Sequence, residues 1–372
     1  MKTCRLMKTA LGIVITALAL SILSVSTFAA ELPEQALSHA NPRVQEVMAV
    51  QEAVTPDLMS MPDVLGTAVG QDDEGELTIL VYVNLEGKNP AASARNIPKN
   101  LRSKNISVQF TEPFRALKKP APPSPPTLPV DHKAIQDPPI QLGTSGGWKS
   151  DLANGYCCGG TLGSLVKSGE TKYILSNYHV FESDIEPGED GIVATTGDPI
   201  IQPGLIDVGC NANNAQNVAT LVISSSLPSQ NVDASIAQIL PGMVSDDGAV
   251  LEIGTISSRT VEAKLKQVVK KSGRTTGLTR SKISGINGTV SVAYDDECAG
   301  KVAFTKTFTG QIIISNRASK FLAGGDSGSL MVEDVTTNPR AIGLLFAGSN
   351  TLAVANPIDE VLNFFGVTMV GQ

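Results

Sequence analysis

Ser327 sits in Gly325-Asp326-Ser327-Gly328-Ser329, and its surroundings point to one kind of chemistry. A serine hydroxyl is a weak nucleophile at neutral pH. It acts only with a base in reach and with donors for the oxyanion that it creates. Flanking glycines let the chain turn sharply, so the amide N–H groups of Gly325 and Ser327 can face a reacting carbonyl as an oxyanion hole. The candidate base is His179, in Leu175-Ser176-Asn177-Tyr178-His179-Val180; the other histidines, His39 and His132, lie outside the strand-rich region around it. An acid must hold the imidazole in its correct tautomer. Asp184, Asp190, Asp198 and Asp207 fall in polar, turn-like segments. Asp233, in Asn231-Val232-Asp233-Ala234-Ser235-Ile236-Ala237, sits at the edge of an apolar strand, where a carboxylate can be partly buried and aimed at a ring N–H. Alone, the serine segment is a Gly/Ser turn and the histidine an ordinary core residue. Together, His179, Asp233 and Ser327 predict a nucleophilic triad for acyl transfer.

These residues need a scaffold, and the chain divides by composition. Lys2, Arg5 and Lys8 precede an apolar run from Thr9 to Val25, and Thr27-Phe28-Ala29 supplies small residues at the −3 and −1 positions. This reads as an export signal over residues 1–29, cleaved after Ala29. Residues 30–117 read as an α+β module. Its helix is expected over Pro42–Ser60, its strands over Val64–Val69 and Glu76–Val83, a weaker helix over Ala91–Leu101 and a short strand over Ile106–Phe110. Residues 118–146 form a Pro-rich linker, with Pro120, Pro122, Pro123, Pro125, Pro126, Pro129, Pro138 and Pro139. Few contacts are expected to cross it, so the module should fold as a separate unit and be removable as a pro-region. From 147 to 372 short strands alternate with Gly-rich turns, and a helix is expected at Ile358–Phe365. That pattern predicts a mainly β sandwich or barrel with a C-terminal helix.

Composition narrows the partners. The net charge is −7 and no basic cluster stands out, which removes the usual electrostatic reason to bind nucleic acid. No stretch after the signal has the ~18 apolar residues of a spanning helix, so no membrane association is expected after signal cleavage. The expected location is secreted or periplasmic. There, Cys157, Cys158, Cys210 and Cys298 should pair as disulfides. Neighbouring strand residues point to opposite faces, so Cys157 and Cys158 should sit in separate bridges to Cys210 and Cys298. Neither a metal nor a cofactor is expected, because the histidines are scattered and no cysteine pair has CxxC spacing.

The segments also resemble those of the chymotrypsin-like serine peptidases. The order His179, Asp233, Ser327 is theirs. Cys158-Gly159-Gly160-Thr161-Leu162 is similar to the strand before their histidine, and Asn177-Tyr178-His179-Val180 to the bacterial form of the histidine motif. Ile342-Gly343-Leu344-Leu345-Phe346-Ala347-Gly348 resembles the strand that lines their substrate groove, and Asn356-Pro357-Ile358-Asp359 the start of the C-terminal helix in Deg-type proteases. A closer resemblance is to a bacterial group related to the plant narrow-leaf protein. It rests on Gly197-Asp198-Pro199-Ile200-Ile201-Gln202-Pro203-Gly204, Gly273-Arg274-Thr275-Thr276-Gly277-Leu278-Thr279 and Gly324–Ser329. There are departures: Val180 stands where animal enzymes carry a cysteine, and Ser329 replaces the usual second glycine.

The resemblance implies a double six-stranded β-barrel over residues 147–372 and a serine endopeptidase acting on protein or peptide substrates. It implies a specificity pocket with Phe321 at its base and Phe346, Ala347 and Gly348 along its wall. With no acidic residue at that base, small or medium apolar side chains are expected there. Asp326 is expected to pin the nucleophile loop through a buried ion pair or hydrogen bonds. The alternative is a barrel without catalysis, acting as a binding or scaffold protein. An esterase on the same triad fits less well, because the Gly-x-Ser-x-Gly spacing is missing.

Overall fold

A computed structural model describes residues 36–102, 105–116, 130–153, 156–182, 194–222, 226–296, 301–316 and 320–372. The expected export signal, prolines 120–129 of the linker, Asp184, Asp190 and Cys298 lie outside the described residues.

The module starts with α1 (Pro42–Met59), whose N-cap Asn41 accepts a hydrogen bond from the Arg43 N–H at 2.9 Å. Pro42 occupies the first turn, where its missing N–H costs nothing. The helix buries Val44, Gln51, Val54 and Leu58. Then follow β1 (Val64–Gln71), β2 (Leu77–Asn84), α2 (Pro90–Arg95), α3 (Lys99–Arg102), β3 (Ile106–Thr111) and β4 (Phe114–Ala116). The single helix expected at Ala91–Leu101 is broken in two. Pro98 removes a backbone donor and pushes Ile97 out of helical conformation. The β1–β2 pair is antiparallel, and β3 joins β2 in parallel.

The first barrel uses β5 (Thr144–Trp148), the small hairpin of β6 (Leu152–Ala153) and β7 (Tyr156–Cys157), β8 (Gly160–Leu162), β9 (Ser164–Ser168) and β10 (Thr171–Ser176). The short helix α4 (Tyr178–Phe181) follows, then β11 (Pro199–Gln202), β12 (Gln216–Val222) and β13 (Ser235–Ile239). Since β8 and β9 are one strand bent at Gly163, the pairings close a ring: β5, β8/β9, β10, β13, β12, β11 and back to β5. A crossing segment with β14 (Ala249–Val250) and β15 (Gly254–Thr255) leads to the second barrel. It contains β16 (Val268–Lys271), β17 (Thr279–Asp296), β18 (Lys301–Ser315), β19 (Leu330–Glu333), β20 (Ala341–Gly348) and β21 (Leu352–Pro357). These also close, in the order β16, β17, β18, β21, β20, β19 and back to β16. The two rings share one strand order, although the sequence shows no internal repeat. The fold is the expected mainly β double six-stranded barrel, and α5 (Ile358–Phe365) and β22 (Thr368–Met369) end the chain.

Each barrel has its own core. Trp148, Leu165, Ile174, Val180, Ile200 and Leu221 fill the first. Val269, Ile283, Ile312, Ile314, Met331 and Leu345 fill the second. A shared cluster with Leu175, Ile236, Leu330, Leu344, Ile358 and Val361 joins the barrels under α5. Burying one such side chain contributes about 1.5–3 kcal/mol. The Cys157–Cys210 disulfide closes a loop of the first barrel, and Cys158 is disulfide-bonded as well.

The expectation of a loosely tethered module is corrected by the pairings. β17 is 18 residues long because it serves two sheets. Its beginning closes the barrel with β16, and its middle pairs antiparallel with β1 from Gly66↔Val290 to Gly70↔Gly285. Gln51 and Asn287 exchange hydrogen bonds across this junction, and Thr111 Oγ1 meets Ser349 Oγ at 2.8 Å. The junction is apolar as well: Val44, Val69 and Leu77 join the core of the second barrel, and Ala68, Leu80, Tyr82 and Phe114 pack with Val290, Val292 and Phe346, but composition does not say which partner an apolar face meets. Residues 130–146, assigned to the linker by sequence, also belong to the barrel. His132, Ile140 and Leu142 are buried, and His132 contacts the Gly143 carbonyl and Glu252, each at 2.7 Å.

Candidate active site

β10 ends at Ser176, and Asn177 starts the single turn of α4, whose four side chains are all buried. This turn places His179. Asp233 lies just before β13, and β13 pairs with β10 from Ser176↔Ser235 upward. The Asn177 Nδ2 donates to the Asp233 carbonyl at 2.7 Å, and the Asp233 N–H donates to Asn356 Oδ1 at 2.9 Å. So fixed, the Asp233 carboxylate meets His179: Nδ1 to Oδ2 is 2.6 Å, and the His179 backbone N–H reaches Oδ1 at 3.4 Å. Both side chains are buried. With Nδ1–H given to the carboxylate, Nε2 carries the lone pair, and Nε2 has no hydrogen-bond partner among the described residues.

The other candidate acids in the described region serve elsewhere. Asp207 forms a bidentate pair with Arg274, at 2.6 and 2.5 Å, and accepts from Ser145 Oγ. Asp198 accepts from the Trp148 indole and from Thr195.

Ser327 stands on the turn between Leu322 and β19. Gly325 and Gly328 both have φ of +91°, a conformation in which other residues are strained. Asp326 is fully buried and accepts from the backbone N–H groups of Thr275, Thr276 and Ala323, and from Thr276 Oγ1. Lys271 Nζ, also buried, lies 3.4 Å from its Oδ2. Burial pushes the Lys271 ammonium downward, and the Asp326 charge pulls it back up. This is the pinning role expected for Asp326. Thr161 ties the turn to the first barrel, donating its N–H to the Ser327 carbonyl at 2.9 Å and its hydroxyl to the Gly325 carbonyl at 3.0 Å.

The Ser327 turn and the histidine segment meet at Gly160. An ideal Cβ placed there would lie 3.0 Å from the Ser327 carbonyl oxygen and 2.6 Å from Val180 Cγ2. The Ser327 hydroxyl donates to the Phe346 carbonyl at 3.4 Å. The Asp326 N–H is used by Ala323 and the Gly328 N–H by Leu345, whereas the Gly325 N–H has no acceptor among the described residues.

One residue that the sequence did not flag supports the site. Tyr294, on β17, donates its hydroxyl to Asp233 Oδ2 at 2.8 Å. Its ring stacks on Phe304 at 4.8 Å and meets the His179 ring edge-on at 6.1 Å. Burial, then the Asp233 charge, pushes the phenol far above its usual range, so Tyr294 remains a donor. Leu322 lies with Phe321 in the core of the second barrel, its Cδ2 3.2 Å from where a Cβ on Gly348 would lie. The expected pocket pair is not brought together. Phe321 is fully buried in the second barrel core, with Ile314 and Met331. Phe346 belongs to a different cluster, with Tyr178, Tyr294 and Phe308. Strand alternation from the neighbouring Leu345 separates the two environments.

Residues 229–355 match the family model described as the Nal1 C-terminal domain, a span that holds Asp233 and Ser327 but not His179. No curated protein matches the chain. Among solved structures, Thermobifida fusca protease A is similar at 20% identity and a TM-score of 0.41, covering 63% of this chain and 99% of its own. A glutamic acid-specific serine protease aligns at 19% identity and 0.41, covering 62% and 100%. Cellulomonas bogoriensis chymotrypsin aligns at 19% identity and 0.39, covering 63% and 99%. The closed rings themselves carry the fold assignment: this chain has a double six-stranded β-barrel of the trypsin-like type with a C-terminal helix.

Proposed function

We propose that this protein is a secreted serine endopeptidase working through His179, Asp233 and Ser327. The observation that carries the reading is the buried hydrogen-bond chain from Tyr294 through Asp233 to His179 Nδ1, which leaves Nε2 as a base. In the reaction, Ser327 Oγ attacks the scissile carbonyl while His179 Nε2 takes its proton. The Gly325 and Ser327 N–H groups receive the oxyanion. The imidazolium protonates the departing amine, and water, activated by the same nitrogen, hydrolyses the acyl-enzyme to a carboxylate and regenerates Ser327. Ala347 and Gly348 border the acyl-side pocket and favour small or medium apolar side chains. Export, removal of residues 1–29 and disulfide pairing of Cys298 belong to the same reading. So does the pro-region role of residues 30–117, with a mature N-terminus in the Pro-rich segment.

A barrel without catalysis is favoured by one feature, the Ser327 hydroxyl being directed to Phe346 rather than to His179. A fluorophosphonate probe separates the two readings, because only an activated serine reacts. Labelling of Ser327 in the secreted protein, lost in His179→Ala, is the expected result. No labelling under any condition would leave the scaffold reading.

Tyr294 acts here as a positioning residue. Tyr294→Phe keeps the ring stack and removes one donor from the carboxylate. A hydrogen bond to a charged group contributes about 1.5–3 kcal/mol, so kcat/KM should fall roughly tenfold or more. A carboxylate with one donor fewer holds the imidazolium more strongly, so the acid limb of the pH–rate profile should move to higher pH. A loss of rate with an unmoved limb would reduce Tyr294 to packing.

A further inference from the structure

The triad is divided between the barrels. His179 and Asp233 belong to the first, and Ser327 stands on a turn of the second. Proton transfer needs the two halves registered to a fraction of an ångström. β21 reaches both. Its Ala355 pairs with Leu345 of β20, and Leu345 holds the Ser327 turn. The Leu345 carbonyl accepts from the Gly328 N–H at 2.9 Å, and its N–H donates to the Ser329 carbonyl at 3.0 Å. The next residue of β21, Asn356, turns to the other half and accepts the Asp233 N–H.

Asn356 does not act alone. Its Nδ2 donates to Gln311 Oε1 at 2.7 Å, and Gln311 Nε2 donates to the Thr309 carbonyl at 2.7 Å. Asn356 and Gln311 are both fully buried. The ends of this chain fix its direction. A backbone N–H only donates and a carbonyl only accepts, so each amide has one permitted orientation. Turning either one over would set oxygen against oxygen and N–H against N–H. The Thr309 carbonyl also accepts from Asn231 Nδ2 at 2.8 Å, and the Thr309 N–H donates to Asn231 Oδ1 at 2.9 Å. The loop carrying Asp233 is thereby bound to β18 two residues before the acid and to β21 at the acid itself. From the opposite side, the Asp233 carbonyl accepts from Asn177, which starts the helix of His179. An apolar residue at 356 would strand the Asp233 N–H, and one at 311 would free the Asn356 amide to turn over.

Resting on the endopeptidase reading, we infer that Asn356 is a positioning residue for the acid and that Gln311 sets its orientation. Together they hold the His179–Asp233 half of the site in register with the Ser327 turn. His179 Nε2 then stands where it can take the Ser327 proton. Neither amide gives up a proton in this role.

Three full-chain variants test it. Asn356→Leu keeps the volume and removes both hydrogen bonds. Gln311→Met leaves the Asn356 acceptor and removes what orients it. Leu362→Ala, in the apolar cluster between the barrels, lowers stability without touching the relay. Turnover of a chromogenic peptide ester, thermal unfolding and the low-field proton resonance of His179 Nδ1–H are measured on each. For Asn356→Leu, kcat should fall roughly tenfold or more, KM should change by about twofold at most, and the Nδ1–H resonance should move. Gln311→Met should act in the same direction and more weakly. Leu362→Ala should lower Tm and leave kcat and the resonance in place. In an Asp233→Asn background, Asn356→Leu should cost less than about twofold more, because no carboxylate remains to be positioned. A folded Asn356→Leu with wild-type kcat or an unmoved resonance overturns the inference while the endopeptidase stands. So does an equal loss of kcat in Leu362→Ala, or full additivity in the Asp233→Asn background. A wild type without turnover removes the endopeptidase reading instead; the resonance needs no turnover and decides the relay by itself. Should Asn356→Leu not fold, Gln311→Met carries the test: a moved resonance with lowered kcat supports the relay, and an unmoved resonance or wild-type kcat overturns it.

Discussion

Ser327→Ala and His179→Ala are each expected to lower kcat by roughly 10⁴–10⁶ without unfolding the protein, and the double variant should be no worse than either single one. The reason is mechanistic coupling. Without the base the hydroxyl is not activated, and without the hydroxyl the base has no proton to take. Asp233→Asn should cost about 10⁴, because an amide stabilises the wrong imidazole tautomer. Asp207→Asn should behave differently. It loosens the pair with Arg274, whose Nη1 would lie 2.6 Å from a Cβ on Gly325, and so acts through stability and the turn behind the oxyanion site. Burst kinetics with a chromogenic peptide ester, together with thermal unfolding of each variant, make the comparison. A double variant far worse than both singles would break the triad assignment. A severe Asp207→Asn beside a mild Asp233→Asn would move the acid.

Asp326→Ala is expected to be the most destabilising single change near the site. It removes a carboxylate that accepts from three backbone N–H groups, and it strands the Lys271 ammonium in a fully buried position. Breaking a buried pair by deleting one partner costs about 3–5 kcal/mol. Replacing both partners, as in Lys271→Met with Asp326→Leu, should recover part of that loss by removing the unpaired charge. Activity should not recover with it, since the turn carrying Gly325 and Ser327 still lacks its anchor. Denaturant unfolding and turnover, measured on the same samples, test this. Stability and activity recovering together would show that the ion pair, rather than the backbone bonds to Asp326, holds the turn.

Several features were readable because their physics is local. The helix at Pro42 has its cap and its proline next to it in the chain, and α1 ends within a residue of the expected place. Gly325 and Gly328 are required by the backbone conformation of their own turn. Asp233 was preferred to Asp207 for its place at the edge of an apolar strand, and its carboxylate lies 2.6 Å from His179 Nδ1 while Asp207 pairs with Arg274. The pocket reading of Phe321 and Phe346 came from the family resemblance, and the side-chain packing around them shows two separate environments.

By itself the sequence determined the mainly β class and the helix and most strands of the module. Each depends on residue type, periodicity or a turn. Only the tertiary structure decided that the module shares β17 with the second barrel, that Tyr294 supports Asp233 and that β4 lies along β20 beside Ser327. Tyr294 is 61 residues from Asp233 in the chain, and the strand partner of Ala116 is Ala347. The Tyr294 contact is a single hydroxyl, the ladders use backbone N–H and carbonyl groups that every non-proline residue carries, and the apolar residues packed behind them do not reveal their partner in the sequence. A ladder between distant strands therefore leaves no mark in residue type, and β4, three residues long, is too short to show a period.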